Sequence, residues 1–383
     1  MNMTSKRRHL SVLNGEIPDR IPIAPRIWAY LLEQKMTHIE YKKVHDYDPI
    51  VITGSGFPFN FDESYEYMQQ FPNSIYHSNV KKTDIVSYKE RDLKKYVTSH
   101  FDTPAGRLTQ VKAYPVIGDK SYGIRPNPHL VEPMIKDKSD LEKISYLMLD
   151  EKDFPAPVFK RLEAEVGEEG IVHVTVTSGV DEMMVNLVGL QNQLMLYYDD
   201  NAFLHEIVKT FHTYYKKLLK HTLENGAAII FESWFNASLS TGWSPDMYRE
   251  LFLDKIKEDI GITHQYDAFF HFYDDGKIMP LLNDFANSGM DMMTTMTPPP
   301  SGDVDAVTAK KILHGKVVMS GYVDTIKIRY GTPSEIEEQT KYACEILGKD
   351  GGFILGTSDS IRDGSPKENV DAYFRAAIKY GKY

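Results

Sequence analysis

The sequence predicts an α/β protein built as a TIM (β/α)8 barrel, with a long N-terminal insertion that caps the barrel mouth. From residue 170 onward, short runs of β-branched and aromatic residues alternate with segments of helical periodicity. Repeated β–α units of this kind form a parallel sheet covered by helices. The alternative is an open doubly wound sheet, which usually carries a Gly-rich phosphate-binding fingerprint. The chain has no GxGxxG, GxxxxGKS or GxxxxGKT motif, and the closed barrel is therefore favoured.

The strands are predicted from apolar runs that are bounded by turn residues. The segment "GIVHVTVTSG" at 170–179 is rich in β-branched residues and lies between glycines, and "GAAIIFESW" at 226–234 follows the same pattern. Further strands are predicted at 266–274, 290–296, 316–324 and 351–359, and an earlier buried strand is predicted at 19–28.

The helices are predicted from apolar positions at helical spacing and from start and stop signals. Residues 201–224 keep the spacing over their full length. The helix at 244–260 begins at a Ser-Pro capping signal, and the helix at 277–289 ends on a glycine. The remaining helices are predicted at 304–313, 333–348 and 366–381.

Residues 26–165 are predicted to form the capping insertion, within a single domain that spans residues 1–383. Much of this region is polar and aromatic and contains prolines, without the β–α alternation seen later in the chain. Within it, "SYKERDLKKYVTSHFDTPAGRLTQVK" (87–112) predicts a β-hairpin that turns at TPAG.

Composition excludes several classes of function. The 383 residues are 42% hydrophobic and 26% charged, which is typical of a globular protein, and their formal net charge is -10. Nucleic acid is not expected as a partner, because phosphate binding needs a basic surface. Cys344 is the single cysteine, which excludes an intramolecular disulfide and a Cys-rich zinc site. The sequence shows neither an apolar membrane span nor a signal peptide, so a cytoplasmic enzyme without a membrane partner is expected.

Polar side chains follow the predicted strands at the end where a TIM barrel holds its active site. In "DAFFHFYDDGK" (267–277), an apolar run stops on His271, Tyr273, Asp274 and Asp275. The other strands end on Glu232, on Thr294 and Thr295, on Tyr322 and Asp324, and on Asp359, and Asp181 and Glu182 follow the strand at 170–179. Because the carboxyl ends of barrel strands meet at one rim, these side chains are expected to face a common site.

Three of these residues, Glu232, His271 and Asp359, predict a metal site, because carboxylate oxygen and imidazole nitrogen suit a metal such as zinc. Each residue also has a structural interpretation. Asp324 and Asp359 would suit the N-cap of a following helix. His271 would suit a buried histidine with satisfied nitrogens, and Tyr273 would suit a buried aromatic with a paired hydroxyl.

Four segments resemble the uroporphyrinogen decarboxylase superfamily. They are "NGEIPDRIPI", "LSTGWSPDMYRELF", "GKVVMSGYVD" and "GGFILGTSDSIRDGSPKENVDAYFRAAIKYG". The resemblance covers residues 160–383 and, locally, 10–25, and it implies a TIM barrel. The true decarboxylases of that family carry an "MRQAGRY" segment whose arginines bind the carboxylates of the substrate. This chain has "APRIWAYLLEQK" there, with Arg26 alone, which disfavours the decarboxylase branch.

The other branch of the superfamily contains corrinoid-dependent methyltransferases. Some of these enzymes bind zinc through a His-x-Cys after one barrel strand and a Cys near the chain end, and the zinc activates a thiol. The corresponding positions here are His271, Tyr273 and Asp359, so the histidine is kept and both thiolates are replaced. A metal held by nitrogen and carboxylate is harder, and it would draw electron density from an ether oxygen.

The chain looks most like the methyltransferase I component of aryl O-demethylase systems. That resemblance implies transfer of a methyl group from a methoxylated aromatic, such as a vanillate- or veratrole-like compound, to the Co(I) of a corrinoid. The chain has no DxHxxG motif, so a separate corrinoid-binding protein is expected to supply the corrinoid, and zinc is expected as a cofactor.

Within this hypothesis, His271 and Tyr273 are the expected catalytic residues, each able to act as a general acid. Aromatic residues near the strand ends are expected to bind the ring of the substrate: Trp28, Trp234, Phe235 and Tyr322. Three alternatives stay open. They are a methylcobalamin-dependent methyltransferase with a non-aromatic donor or thiol acceptor, a decarboxylase, and a non-catalytic barrel that binds a tetrapyrrole or a partner.

Overall fold

The computed structural model describes residues 3–54, 79–89, 94–115, 128–154, 156–176 and 179–383. The chain divides into two compact units. We call the first the barrel unit, which comprises Met1–Thr53, Val158–Thr175 and Gly226–Tyr383. The second unit comprises Gly54–Pro157 and Val176–Asn225. The expectation of a single domain with an insertion at 26–165 stays a prediction.

The strands of the described residues are β1 (Ile50–Gly54), β2 (Lys81–Lys89), β3 (Lys94–Thr103), β4 (Gly106–Pro115), β5 (His129–Glu132), β6 (Ile171–Thr175), β7 (Ile229–Ser233), β8 (Phe269–Tyr273), β9 (Met292–Thr294), β10 (Val318–Val323) and β11 (Phe353–Thr357).

The α-helices of the described residues are α1 (Ser5–Leu13), α2 (Trp28–Gln34), α3 (His38–Lys42), α4 (Ser139–Ser145), α5 (Phe159–Val166), α6 (Val180–Met183), α7 (Leu190–Asp199), α8 (Asn201–Glu224), α9 (Pro245–Tyr248), α10 (Asp254–His264), α11 (Leu282–Ala286), α12 (Ala306–Leu313), α13 (Thr325–Tyr330), α14 (Pro333–Ile346) and α15 (Lys367–Tyr380). Short π-helical turns follow α6 and α9, at Met184–Val188 and Arg249–Leu253. Within the described residues, no helix combines the length and the apolar character that crossing a membrane requires.

The barrel unit is built on a parallel sheet of strand order β1-β6-β7-β8-β9-β10-β11. The segment around Ile23 closes this sheet into a barrel. Ile23 forms a parallel bridge with Leu355 of β11, and its carbonyl accepts a hydrogen bond from the N–H of Asp48, just before β1. The predicted TIM barrel is therefore confirmed, with the Ile23 segment in the position of the first barrel strand.

The amino-terminal end of the barrel interior is filled with apolar side chains. Met292 and Val318 begin β9 and β10, and they lie in one buried cluster with Ile354 of β11, Ala24 and Val12 of α1. Burial of apolar surface stabilises such a cluster by roughly 25 cal/mol per Å² removed from water. Helix α1 thus closes the base of the barrel and leaves its carboxyl-terminal end for a site.

The second unit contains the antiparallel sheet β2-β3-β4-β5. The predicted hairpin is confirmed: β3 and β4 pair from Lys94 opposite Pro115 to Thr103 opposite Gly106. The turn between them is the Pro-Ala of the TPAG segment, which is the short loop that an antiparallel pair favours.

Two predicted elements differ from the structure. The strand predicted at 19–28 is reduced to the bridge at Ile23, and α2 already begins at Trp28. Pro22 and Pro25 have no N–H to donate, which prevents a continuous ladder in this segment. The helix predicted at 277–289 starts as a 3-10 turn around Pro280 and becomes α-helical only in α11.

Candidate active site

A cavity inside the barrel is the candidate active site. It encloses about 360 Å³, part of which is open to solvent. One part of its wall is formed by residues that offer no polar side chain, namely Ala24, Pro25, Ile50, Ile52, Phe231 and Gly356. The other part carries polar groups, namely Arg26, His271, Thr294, Ser320 and Thr357. An apolar pocket with a few convergent polar groups is the usual form of a small-molecule site.

His271 lies at the centre of this wall, on β8 opposite Phe231 of β7. Its Nδ1 is 2.7 Å from Nδ1 of His173 on β6, and its Nε2 is 2.8 Å from the hydroxyl of Thr294 on β9. The ring is 3% exposed. Burial, with a contribution from the cation of Arg26, lowers the pKa of His271 to about 3. His271 is therefore a neutral imidazole at neutral pH.

Arg26, Tyr273 and Asp359 form a second group next to His271. The guanidinium carbon of Arg26 lies 4.2 Å from the ring centroid of Tyr273, a cation–π contact. Nη1 of the same arginine is 3.5 Å from Oδ1 of Asp359, whose side chain is half-exposed. The structure thus brings together the predicted residues His271 and Tyr273, on one strand, and Asp359, through Arg26.

Asp275 completes this group, and it was not among the predicted catalytic or binding residues. The hydroxyl of Tyr273 donates to Oδ2 of Asp275 at 2.8 Å, and Oδ1 of Asp359 lies 3.4 Å from the same hydroxyl. Burial, together with the nearby charge of Asp359, raises the pKa of Asp275 to about 6 although Arg26 opposes this. Burial also raises the pKa of Tyr273 well above its usual value. The two aspartates after Tyr273 in "FYDDGK" were the sequence signal for this residue.

Glu232, by contrast, is not brought to His271. In the register of β7 and β8, Phe231 pairs with His271 and Glu232 pairs with Phe272. Glu232 is therefore one position out of step with the residues that face the same side as His271. Successive side chains of a strand point to opposite faces. Glu232 is buried and accepts a hydrogen bond from the indole N–H of Trp234.

The predicted zinc ligands therefore do not fit one metal ion in this arrangement. Glu232 is directed away from the face of β7 and β8 that carries His271, while Asp359 is held near Arg26 and Tyr273. Among the described residues, no group of three His, Cys, Asp or Glu side chains is placed to hold a metal ion. Metal binding by the chain stays an untested prediction, and no chemical step below depends on it.

Of the four predicted ring-binding aromatics, Phe235 lies beside the site. Its ring centroid is 6.0 Å from that of Tyr273, in an edge-on arrangement. Trp234 is fully buried and packs against Phe252 of the helical layer, with ring centroids 5.4 Å apart. Trp234 therefore does not line the cavity in this structure.

Tyr322 and Trp28 also lie outside the cavity lining. The ring centroid of Tyr322 lies 5.9 Å from that of Tyr342 of α14. Trp28 begins α2, and the guanidinium carbon of Arg362 lies 5.7 Å from its ring centroid. The ring-binding roles of these residues stay predictions that this geometry does not support.

Asp324 acts as a helix N-cap, which is the structural alternative given for it above. Its carboxylate accepts a hydrogen bond from the N–H of Ile326 and caps the amino terminus of α13. Asp359, for which the same interpretation was open, instead lies in the group with Arg26 and Tyr273.

Comparison with known proteins places this geometry in context. The uroporphyrinogen decarboxylase (URO-D) family matches residues 121–380. A uroporphyrinogen decarboxylase of Hordeum vulgare is 27% identical over 186 residues, which are 47% of this chain and 52% of that protein. The chloroplastic uroporphyrinogen decarboxylase of Zea mays is 27% identical over 192 residues, or 48% of this chain and 45% of that protein. The chain thus spans about half the length of the curated relatives it matches.

A solved structure resembles the whole chain. It is a methyltransferase from Methanosarcina mazei, with a TM-score of 0.59 and 16% sequence identity over 99% of each chain. At that level of identity the likeness concerns the fold.

Proposed function

We propose that this chain, which belongs to the uroporphyrinogen decarboxylase family, transfers the methyl group of a methoxylated aromatic to the cobalt(I) of a corrinoid. The corrinoid is carried by a separate protein, and the other product is a phenol. The proposal is carried by one observation: an apolar cavity lies next to a partly buried acid group, formed by Tyr273 and Asp275, that can supply a proton. The likeness to a methyltransferase over the whole chain supports the same reaction class.

The cavity suits a small aromatic ring. The space of about 360 Å³ includes a part that is open to solvent. Ile50, Ile52 and Phe231 supply apolar contact for the faces and edges of a ring. Within the part of the chain that the structure describes, Arg26 is the one charged residue in the cavity lining, so most of the ring would meet uncharged groups there.

The reaction needs a proton at the ether oxygen. As the acceptor takes the methyl group, the carbon–oxygen bond breaks and its electron pair stays on the oxygen, which becomes a phenolate. A general acid that donates to this oxygen in the transition state lowers the barrier. The phenol then leaves, and the acid recovers its proton from solvent.

Asp275 fits the role of this acid better than the two residues expected from the sequence. His271, with a pKa of about 3, carries no proton to give as an imidazolium near neutral pH. Burial holds the pKa of Tyr273 well above its usual value, which makes its hydroxyl a weak acid. The pKa of Asp275 is about 6, so a useful fraction of its carboxyl groups is protonated near neutral pH. Tyr273 then orients Asp275 through its hydroxyl.

Decarboxylation is the second candidate, favoured by the names of the curated relatives. A uroporphyrinogen-type substrate carries many carboxylates and needs several cations to bind them. Among the described residues, Arg26 is the one cation that lines the cavity, and it already lies near Asp359. We therefore place methyl transfer first.

The proposal is tested by incubating the purified chain with a reduced corrinoid protein, or with free cob(I)alamin, and a panel of methoxylated phenols. We expect methylcobalt absorbance to appear together with an equal amount of the demethylated phenol. A chain that releases carbon dioxide from uroporphyrinogen and leaves every methoxyarene intact would refute methyl transfer.

A further inference from the structure

The paired histidines His173 and His271 form a contact that the proposed reaction does not yet use. Both rings are buried inside the barrel, at 1% and 3% exposure, and they meet edge to face with their planes at 90°. Their Nδ1 atoms are 2.7 Å apart, which is a hydrogen bond between the rings. Such a bond fixes the orientation of His271, which lines the cavity.

The direction of this hydrogen bond follows from the remaining nitrogen of His173. A neutral imidazole has one N–H donor and one bare acceptor, and burial lowers the pKa of both rings, so both are neutral. Nε2 of His173 is buried and has no hydrogen-bond partner among the described residues. A buried N–H without an acceptor is rarer in proteins than an unpaired acceptor. The proton of His173 therefore lies on Nδ1, which donates to Nδ1 of His271.

The same direction continues through His271 to Thr294. With its Nδ1 accepting, His271 carries its proton on Nε2, which donates to the Thr294 hydroxyl oxygen at 2.8 Å. That hydroxyl keeps its own proton for another acceptor. Thr294 is 5% exposed and lines the cavity, so a bound ligand can supply this acceptor.

We propose that His173, His271 and Thr294 form a one-directional chain of hydrogen bonds that ends in a hydroxyl donor facing the cavity. This donor binds an uncharged oxygen of the substrate other than the ether oxygen, such as the hydroxyl oxygen of a methoxyphenol. The identity of that substrate rests on the proposed function, whereas the direction of the chain does not. His173 is in this view a positioning residue, which acts on the ligand through His271 and Thr294.

The Thr294 hydroxyl is also expected to disfavour ligands with certain ring substituents. A ring substituent that only donates hydrogen bonds leaves the Thr294 proton without an acceptor, and an unsatisfied buried donor costs binding free energy. We expect 2-methoxyphenol to bind more tightly than 2-methoxyaniline for this reason. The two probes have nearly the same shape, so the comparison isolates the hydrogen bond.

The direction of the chain is tested by NMR on the full chain with ¹⁵N-labelled histidine rings. We expect His271 to show a bare Nδ1 and a protonated Nε2, assigned by the signals that His271→Gln removes. The amide nitrogen of Asn takes about the place of histidine Nδ1, so His173→Asn is expected to keep this tautomer, and His173→Leu to lose it. A proton on Nδ1 of His271 in the unsubstituted chain would reverse the direction and overturn the inference. That spectrum decides the point even if His173→Leu does not fold.

The donor is tested by calorimetric binding of 2-methoxyphenol and 2-methoxyaniline to matched variants at Thr294. Thr294→Ser keeps the hydroxyl, and we expect it to bind 2-methoxyphenol nearly as the unsubstituted chain does. Thr294→Val keeps the shape without the hydroxyl, and we expect about fivefold weaker binding and loss of the preference over 2-methoxyaniline. Equal binding by the Val and Ser variants would overturn the role of the hydroxyl. If neither probe binds the unsubstituted chain but the tautomer is as expected, the aromatic substrate is refuted and the chain of hydrogen bonds stands.

Discussion

Asp275 is the residue on which the proposed reaction depends most directly. Replacing it with Asn removes the proton donor and keeps the size of the side chain, and we expect kcat for methyl transfer to fall about 100-fold or more. KM for the methoxyarene should change little, because the proton is transferred only in the transition state and Asn keeps the size of the side chain. The measurement is steady-state kinetics on Asp275→Asn, with Asp246→Asn, a change to an exposed acid on α9, as the control.

The pH dependence of the same variant checks the role of the carboxyl. The pKa of Asp275 is raised to about 6, so the protonated acid is lost as pH increases through that value. We expect kcat of the unsubstituted chain to decline above about pH 6, and that decline to be absent in Asp275→Asn. An identical decline in both proteins would assign it to another group.

At this scale the sequence predicted part of the site. His271, Tyr273 and Asp359 were identified because polar residues directly follow apolar runs, and the structure places them together. The register places Glu232 on the other face of β7 from Phe231, because a shift of one residue along a strand reverses the face, and an apolar run does not reveal which of its last two residues points inward. The pKa of Asp275 is raised by burial and by Asp359, a neighbour 84 positions away in sequence, and no local sequence pattern contains either effect.

The segment around Ile23, in the position of the first barrel strand, is held in place by the buried carboxylate of Asp48. Asp48 is completely buried and lies in an ion pair with Arg8 of α1. Its Oδ2 is 2.6 Å from Nη1 of Arg20 and accepts the backbone N–H of Ile23 at 2.9 Å. Asp48 therefore ties α1, the Ile23 segment and the start of β1 together.

We expect Asp48→Asn to lower the free energy of unfolding by about 3 kcal/mol, because it removes the negative charge that the buried Arg8 and the partly buried Arg20 share. Asp46→Asn is the matched control, since Asp46 also faces Arg20, at 3.5 Å, but its side chain is 73% exposed. An exposed pair of this kind contributes about 0–1 kcal/mol. The measurement is urea unfolding of both variants, and equal destabilisation would show that burial of Asp48 does not matter.

Elements whose residues all favour one kind of secondary structure were predicted well. Elements that combine apolar strand residues with prolines were not. The strands β6–β8 and β10–β11 follow from β-branched and aromatic runs, and α8 follows from regular spacing over its full length. The 19–28 segment has the apolar residues of a strand but also contains two prolines. It forms one bridge, in which Ile23 pairs with Leu355 of β11. Pairing with a strand more than 300 positions later is a tertiary effect.

For the whole molecule, the sequence predicted the barrel and left the second unit undetermined. The barrel follows from repeated β–α units, because each unit buries one side of a strand pair and the repeats define a parallel sheet. The sheet β2-β3-β4-β5 was predicted only in its hairpin, because its remaining strands lack a clear alternation of apolar and polar residues. Residues 176–225 also belong to the second unit, which the linear order of elements did not indicate.

Buried neutral histidines are expected to make the folded molecule sensitive to acid. Burial lowers the pKa of His9 and of His173, and it lowers that of His271 to about 3. The same side chains have pKa values near 6.5 in an unfolded chain. Between these values the unfolded state binds protons that the folded state does not, so stability falls as pH falls. The effect is complete above about pH 6.5 and is lost progressively towards pH 3.

We therefore expect the melting temperature to decrease steadily from pH 7 to about pH 5, a window that lies above the pH at which paired carboxylates such as Asp48 begin to lose their contribution to stability. In His9→Gln the amide replaces the Nε2 donor to the carbonyl of Asp48, so the hydrogen bond is kept while the titrating group is lost. Its melting temperature should fall less steeply with acid than that of the unsubstituted chain. His314→Asn, at an exposed histidine, should follow the unsubstituted chain. Parallel curves for His9→Gln and the unsubstituted chain would mean that His9 takes up a proton equally well in the folded and unfolded states, because only a difference in proton binding changes stability with pH.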